Sequence, residues 1–320
     1  MQVLFNVILP VFAIILCGYL SGLFGVISKD GAKSLNNYVF YVTLPALLFY
    51  SVAKAPIEQL TNVAFISANL IGILASFLLS MFIAKLVFKK SFPVLAIHGM
   101  NASYGTTGYM GIPLLIAAFG QKAALPAALA TLIHNIPVIT LVMLIFETSR
   151  VIQKDEKTNF IKIVRDIAKP VLISPLTISV VLGAVIAFLG IQLPTSVDVF
   201  ARFLADASGP TALFAIGLSF VNQKDIFNKS NIISPEVSLL VGLKLIFQPL
   251  LTILLVLYVF QLDPLWRTVT IIMSALPVGA GVYVFAQKYD QLVKQTSLAI
   301  VVSMIFSLIT LSTLFIVFVR

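Results

Sequence analysis

Charged side chains are scarce in this sequence. Asp, Glu, Lys and Arg make up 10% of its 320 residues, whereas 60% of the residues are hydrophobic and the mean hydropathy is +1.07. A soluble domain of this composition would have too little polar surface to cover its apolar side chains. The composition therefore excludes a water-soluble fold and indicates an all-α integral membrane protein embedded in a lipid bilayer.

Cysteine and the motifs of catalysis are also nearly absent. The single cysteine, Cys17, excludes an internal disulfide and is expected to be a small packing residue. There is no paired-aspartate motif, metal cluster, nucleophile elbow or phosphate-binding loop. We therefore expect neither an enzyme nor an ATP-driven pump, and no cofactor.

Long apolar runs separated by short polar segments predict ten membrane spans. The first run follows Met1-Gln2, which offers no basic n-region, so it is expected to be a span and not a cleaved signal peptide. The predicted spans cover residues 4–24, 34–53, 62–86, 93–119, 123–147, 170–190, 196–221, 236–260, 265–287 and 292–319.

Lysine and arginine are distributed unevenly between the predicted loops. Fifteen lie in the odd-numbered loops, and the other side has four, namely Lys54, Lys122, Arg267 and Arg320. The positive-inside rule then places the odd-numbered loops in the cytoplasm and both termini outside, as expected in a bacterial inner (cytoplasmic) membrane. Because the basic residues are spread over short loops, the net charge of +9 does not indicate a nucleic-acid partner.

An ungapped internal repeat has an offset of 165 residues. Pro10, Gly18, Gly25 and Pro45 recur as Pro175, Gly183, Gly190 and Pro210, and the run Pro45–Phe49 returns as Pro210–Phe214. With five spans per copy, the second copy enters the membrane upside down. We predict inverted five-helix repeats at 1–148 and 170–320, joined by a basic cytoplasmic linker at 149–169.

Two spans carry the residues that break helices. The fourth holds four glycines and a proline within 98–113, and the ninth reads Ser274-Ala-Leu-Pro-Val-Gly-Ala-Gly281. Each is predicted to be two half-helices joined by unwound backbone, with Gly105 and Pro277 near the membrane midplane. The free N–H groups of the second half-helices would favour an anion, although close packing or a simple kink would explain the same residues.

These runs resemble the auxin efflux carrier family. The resemblance rests on Leu35–Phe49, Gly111-Ile-Pro-Leu-Leu115, Ala275-Leu-Pro277 and Val284-Phe-Ala-Gln-Lys-Tyr289. That family includes the plant PIN carriers and bacterial malonate and malate permeases. The resemblance implies a fold similar to that of bile-acid sodium symporters, with a scaffold domain, a transport domain containing two crossed helices, and a homodimer formed through the scaffold.

The chain departs from the family pattern at two positions. Thr106 stands where many members have an asparagine, and Val278 stands where plant carriers have a polar amide, so auxin is not the expected substrate. The substrate-binding residues that we predict surround the two breaks and are Asn101, Gly105, Thr106, Thr107, Pro277, Val278 and Gly279.

Ionisable residues inside spans are costly, so each is a candidate for coupling or gating. Asp206 and Lys244 have similar predicted depths and could form an ion pair at the membrane midplane. That pair would be either static or released by protonation or by substrate. Alternatively, Lys244 could snorkel to the membrane surface. Arg202 could attract anions or pair with Asp206 one turn away. His134 could line a cavity or carry protons, but a hydrogen-bonded packing histidine is the favoured interpretation.

Together these features predict a secondary carrier for small organic anions, either mono- or dicarboxylates such as malate and malonate or auxin-like carboxylates. The crossed helices would bind the carboxylate and then move against the scaffold, by an elevator-like or rocking motion, to expose it on each side. Coupling to H⁺ or Na⁺ is left open. The alternative is an anion channel that uses the same crossing as a filter.

Overall fold

The fold was obtained as a computed structural model, which describes residues 8–154, 172–221 and 234–318. These residues form helices joined by short loops, and no strand occurs within the described ranges. A single isolated antiparallel bridge joins Gly105 to Val278. The predicted all-α class is therefore confirmed.

Eight α-helices form the first half of the chain, as far as the structure describes it. They are separated by short irregular segments or by a single turn of 3-10 or π helix. They are α1 (Leu9–Leu23), α2 (Lys29–Tyr38), α3 (Leu44–Ala53), α4 (Ile57–Leu60), α5 (Val63–Leu86), α6 (Val94–Ser103), α7 (Ile112–Phe119) and α8 (Ala124–Lys154).

Seven α-helices follow in the described part of the second half. They are α9 (Pro175–Phe188), α10 (Thr195–Ser219), α11 (Pro235–Gly242), α12 (Gln248–Leu254), α13 (Pro264–Ser274), α14 (Ala280–Lys288) and α15 (Val293–Phe318). Helix α8 continues to Lys154 and so runs into the predicted linker 149–169, of which 155–169 lie outside the described residues.

Three helices contain a π-helical turn two residues before a proline. The turns Val39–Thr43, Thr107–Gly111 and Leu243–Phe247 precede Pro45, Pro113 and Pro249. Proline has no N–H and its ring clashes with the carbonyl four residues earlier, a position that lies inside the π turn each time. The wider turn relieves that clash and rotates the side chains that it carries.

Several helices are long and apolar enough to cross a membrane. Among the described residues, five segments qualify as spans by length and composition, and Leu9–Leu23, Thr107–Phe119 and Pro175–Phe188 are shorter apolar helices. Large apolar side chains such as Phe82, Phe203 and Tyr258 are exposed on the surface. Such a surface suits contact with lipid tails, and the chain is a multi-pass membrane protein.

The repeat-matched glycines make equivalent contacts between helices. A Cβ on Gly18 of α1 would lie 2.1 Å from the carbonyl oxygen of Phe214 in α10, and one on Gly183 of α9 would lie 2.9 Å from that of Phe49 in α3. Residues 18 and 183 are 165 positions apart, as are 49 and 214. The first helix of each half, α1 or α9, therefore packs on a helix of the other half, α10 or α3, through a glycine contact at the same repeat position.

Both helices predicted to be broken are interrupted. Helix α6 ends at Ser103 and helical backbone resumes at Thr107, while α13 ends at Ser274 and α14 begins at Ala280. Proline, glycine and small residues at these points allow extended backbone in the interior of the protein.

Candidate functional site

The two unwound segments cross and bond to each other. The Thr106 N–H donates to the Pro277 carbonyl oxygen over 3.0 Å, and the Gly279 N–H donates to the Tyr104 carbonyl oxygen over the same distance. These bonds flank the bridge between Gly105 and Val278. The polar groups of this irregular backbone would be costly to expose to lipid, and here they form hydrogen bonds within the protein.

The seven predicted substrate-binding residues are all buried at or beside this crossing. Glycine is required at the contact itself, because a Cβ on Gly279 would lie 2.8 Å from the Gly105 carbonyl oxygen. Val278 contributes its backbone, and its N–H donates to the Ser303 hydroxyl over 3.0 Å while its side chain packs in an apolar cluster. The structure therefore brings the residues together, with Val278 acting through its main chain.

Two buried side chains here keep an unused polar atom. The Thr107 hydroxyl and the Asn101 Oδ1 have no hydrogen-bond partner within the described residues. The amide nitrogen of Asn101 is occupied, because it donates to the Ile97 carbonyl and the Thr296 hydroxyl, each over 2.9 Å. Buried polar groups are rarely left unpaired, so these two atoms are available to a ligand or to water.

Lys244 lies at the crossing, but its partner is not the predicted one. The side chain is 0% exposed, and its ammonium donates to the Ser274 carbonyl oxygen over 2.7 Å. A Cβ on Gly105 would lie 3.4 Å from Lys244 Nζ. The ammonium does not snorkel to the surface, because the π turn directs it at the end of α13.

The predicted pair of Asp206 with Lys244 is wrong in this structure. The Asp206 side chain is 50% exposed and pairs with Arg202, with 3.7 Å between the Arg202 Nε and Asp206 Oδ2 atoms. Similar depth in the membrane does not fix the direction in which a helix presents its side chain, and α10 turns Asp206 toward a cavity. The alternative interpretation of Arg202 as the i,i+4 partner of Asp206 is the observed one.

That cavity opens where helices α3, α8, α10 and α13 approach each other. It has a volume of about 770 Å³ and is lined by both acidic and basic side chains. The cations are Lys54, Lys122 and Arg202, and the acids are Asp206 and Asp263. The Asp198 carboxylate, and then the Tyr50 hydroxyl, raise the pKa of Lys54 above its ordinary value. Lys54 therefore stays cationic at the cavity.

His134 is a buried histidine with a hydrogen-bond partner. Its Nε2 lies 3.1 Å from Asn69 Oδ1, and Asn69 in turn bonds to the Phe65 carbonyl and the Thr270 hydroxyl. This network links α8, α5 and α13 and fits the favoured interpretation of a hydrogen-bonded packing residue. Asn69 lies 65 positions away in the chain, so the sequence alone gave no sign of the pairing.

The sequence prediction missed a charged cluster at the start of α11. Glu236 Oε1 lies 2.6 Å from His98 Nε2 and 2.8 Å from Lys90 Nζ, and Gln295 Nε2 donates to the other carboxylate oxygen over 3.4 Å. The signal in the sequence was Glu236, an acidic residue among basic loops. The positive-inside analysis counts lysine and arginine alone and so did not use it. No group of three His, Cys, Asp or Glu side chains suited to a metal ion occurs in the part of the chain that the structure describes.

Comparison with known proteins identifies the class. Residues 3–315 match the family described as membrane transport protein (Mem_trans), so the chain belongs to that family and is a membrane transporter, not an enzyme. The expected auxin efflux carrier type is confirmed by this match.

Three relatives match almost the whole length of this chain. The chain is 27% identical to the Rhizobium meliloti protein named "Putative malonate transporter", over 97% of this chain and 94% of the relative. It is 26% identical to the Escherichia coli "Uncharacterized transporter YfdV", over 95% and 94%. It is also 29% identical to the Mus musculus "Lysosomal cholesterol signaling protein", over 94% of this chain and 36% of the relative.

Proposed function

We propose that the protein is a secondary carrier for small organic anions, with the substrate carboxylate bound at the helix crossing. The observation that carries the proposal is the crossing of two interrupted helices beside the buried Thr107 hydroxyl, which has no hydrogen-bond partner among the described residues. The name of the Rhizobium meliloti relative supports malonate as a first substrate to test, with malate and monocarboxylates beside it.

Helix dipoles supply the charge that such a site needs. The first turn of a helix leaves its N–H groups without intrahelical acceptors and carries about +0.5 of an elementary charge. The helical segments that begin at Thr107 and Ala280 both start at the crossing. Their combined positive end, of about one elementary charge, suits a carboxylate.

The architecture proposed for this carrier is ten spans in two inverted repeats, at 1–148 and 170–320 with a cytoplasmic linker at 149–169. The reciprocal contacts of Gly18 and Gly183 support it, because a pseudo-twofold axis would produce this exchange of helices. In this arrangement α1, α3, α9 and α10 form the scaffold. Both termini would face outside, in a bacterial inner membrane, and two copies would pair through their scaffolds.

Access from outside is proposed to run through the cavity beside Arg202. Its walls combine α3 and α10 of the scaffold with α8 and α13, which adjoin the crossing. Lys54, Lys122 and Arg202 would attract an anion there. Movement of the crossed helices against the scaffold would then expose the carboxylate on the opposite side.

Reconstituted protein tests the proposal and separates the carrier from the channel. Proteoliposomes loaded with unlabelled malonate should accumulate labelled malonate transiently by counterflow, and uptake should saturate. Conductance in planar bilayers without counterflow would establish the anion channel instead. Absence of both for malonate, malate and a set of monocarboxylates would contradict the proposed function.

A further inference from the structure

Asn101 is a fully buried amide near the end of α6, just before the unwound segment of the crossing. Its nitrogen donates to the Ile97 carbonyl one turn earlier and to the Thr296 hydroxyl of α15, each over 2.9 Å. A carbonyl oxygen can only accept, so the contact with Ile97 fixes which end of the amide is the nitrogen. Both hydrogens of that nitrogen are used, and the Oδ1 atom can act only as an acceptor.

This acceptor has no donor within the protein as far as the structure describes it. Asn101 Oδ1 is buried, and no hydrogen bond reaches it from any described residue. A buried acceptor without a partner is costly, and most such groups in folded proteins have one. The missing partner is therefore expected to be a group that is not part of the chain.

A second buried asparagine shows how the same arrangement is completed elsewhere. Asn69 of α5 also donates to the carbonyl four residues earlier, that of Phe65, and to a threonine hydroxyl of another helix, that of Thr270. Its Oδ1 lies 3.1 Å from His134 Nε2, and the imidazole is the donor because an amide oxygen only accepts. The two asparagines thus differ in one respect, since no described residue takes the place of His134 at Asn101.

The carboxylate of the proposed substrate does not supply this donor. An ionised carboxylate has acceptor oxygens alone, so it would repel Asn101 Oδ1. The Thr107 hydroxyl, on the other side of the unwound segment 104–106, has no partner among the described residues and can donate to a carboxylate. A ligand that satisfies both atoms offers a carboxylate to Thr107 and an O–H group to Asn101.

We propose that Asn101 is a specificity-determining residue whose Oδ1 accepts a hydrogen bond from a hydroxyl group of the substrate. The inference rests on the carboxylate site of the proposed function and narrows its substrates to hydroxycarboxylates. A plain acid with the same carbon skeleton leaves Oδ1 unpaired in the occupied site. A site built to bond a hydroxyl group rejects the analogue that lacks it, because a buried polar atom then has no partner.

Pairs of acids that differ by one hydroxyl group test this with the purified full chain. The pairs are hydroxymalonate with malonate, malate with succinate, and lactate with propionate, at about pH 7.5, where carboxyl groups are ionised. The concentration that half-saturates the rise in unfolding temperature measures each affinity. In the pair that binds most tightly, the hydroxy acid should bind the wild type about tenfold or more tightly than the plain acid.

Two variants separate the role of the oxygen from the contact between helices. Asn101→Leu removes Oδ1 together with the bond to Thr296, and it should bind both acids of a pair within about twofold of each other. Thr296→Val removes the same bond to α15 but keeps Oδ1, so it should retain the preference for the hydroxy acid. Loss of the preference in both variants would overturn the inference, because the contact between α6 and α15 would then explain it.

The wild-type comparison is decisive even if a variant does not fold. Equal binding of both acids in every pair would overturn the inference alone and leave the carboxylate site in place, as expected if water is the donor to Oδ1. Absence of binding by all of the acids would contradict the proposed function and the inference together. The two failures are therefore distinguishable.

Discussion

The contact between Gly18 and Phe214 gives a prediction of definite sign and size. A methyl group at position 18 would lie 2.1 Å from the Phe214 carbonyl oxygen and 2.9 Å from its carbon, both of them backbone atoms that cannot rotate away. Overpacking of this kind costs about 1 to 3 kcal/mol and outweighs the gain of up to about 1 kcal/mol from replacing glycine by alanine in a helix.

Gly242 is a matched control in another helix. Nothing lies within 4 Å of a Cβ built there, so Gly242→Ala should leave stability unchanged or raise it slightly. Gly18→Ala should therefore be less stable than Gly242→Ala by about 2 kcal/mol. Gly183→Ala should lie between them, because its nearest backbone oxygen is 2.9 Å away and the helices need to separate less.

The assay is thermal or denaturant unfolding in detergent with each variant compared to the wild type. If Gly18→Ala and Gly242→Ala shifted the transition equally, the close packing of α1 on α10 would not exist. If Gly183→Ala alone were harmless, the equivalence of the two glycine contacts would fail. Either result would remove the structural support for the inverted repeat.

Three further changes test the charged and polar contacts. Glu236→Gln should cost about 2 kcal/mol, because it removes the charged acceptor of buried His98 and of Lys90, and thermal unfolding measures this loss. Lys54→Met should change stability by less than about 1 kcal/mol, since its pair with Asp198 is exposed, but should slow anion uptake most at low ionic strength. His134→Phe should cost about 1 to 3 kcal/mol by leaving the Asn69 oxygen unpaired, whereas His134→Gln should recover part of that stability, and denaturant unfolding compares the two.

The features that were predicted correctly depend on residues close together in the sequence. Proline and glycine act on the backbone within a few residues, so the interruptions beside Gly105 and Pro277 could be located without a structure. The family match and the helical class follow from composition and from short motifs. In the part of the chain that the structure describes, the ends of the five segments that qualify as spans lie within two residues of the predicted ends, because these ends depend on runs of apolar side chains.

Side-chain partners across helices could not be predicted in the same way. Asp206 and Lys244 have similar depths, but whether they meet depends on the rotation of α10 and on a π turn that no periodicity reveals. Likewise, Gln248, Ser303 and Thr296 complete the crossing through contacts 145, 25 and 195 positions away in the chain. Hydroxyl and amide residues in a span indicate that hydrogen bonds form between helices, but they do not identify the partners.

The central claim is that the substrate carboxylate binds beside Thr107, and ligand-dependent thermal stability tests it most directly. Malonate should raise the unfolding temperature of the wild type, because a ligand that binds the folded state stabilises it. Thr107→Val removes the unpartnered hydroxyl and should weaken binding by about 1.5 to 3 kcal/mol, roughly ten- to a hundredfold in affinity. Thr268→Val, whose hydroxyl bonds to the Pro264 carbonyl of its own helix, should keep the full malonate response. An equal malonate shift in Thr107→Val and the wild type would contradict the account.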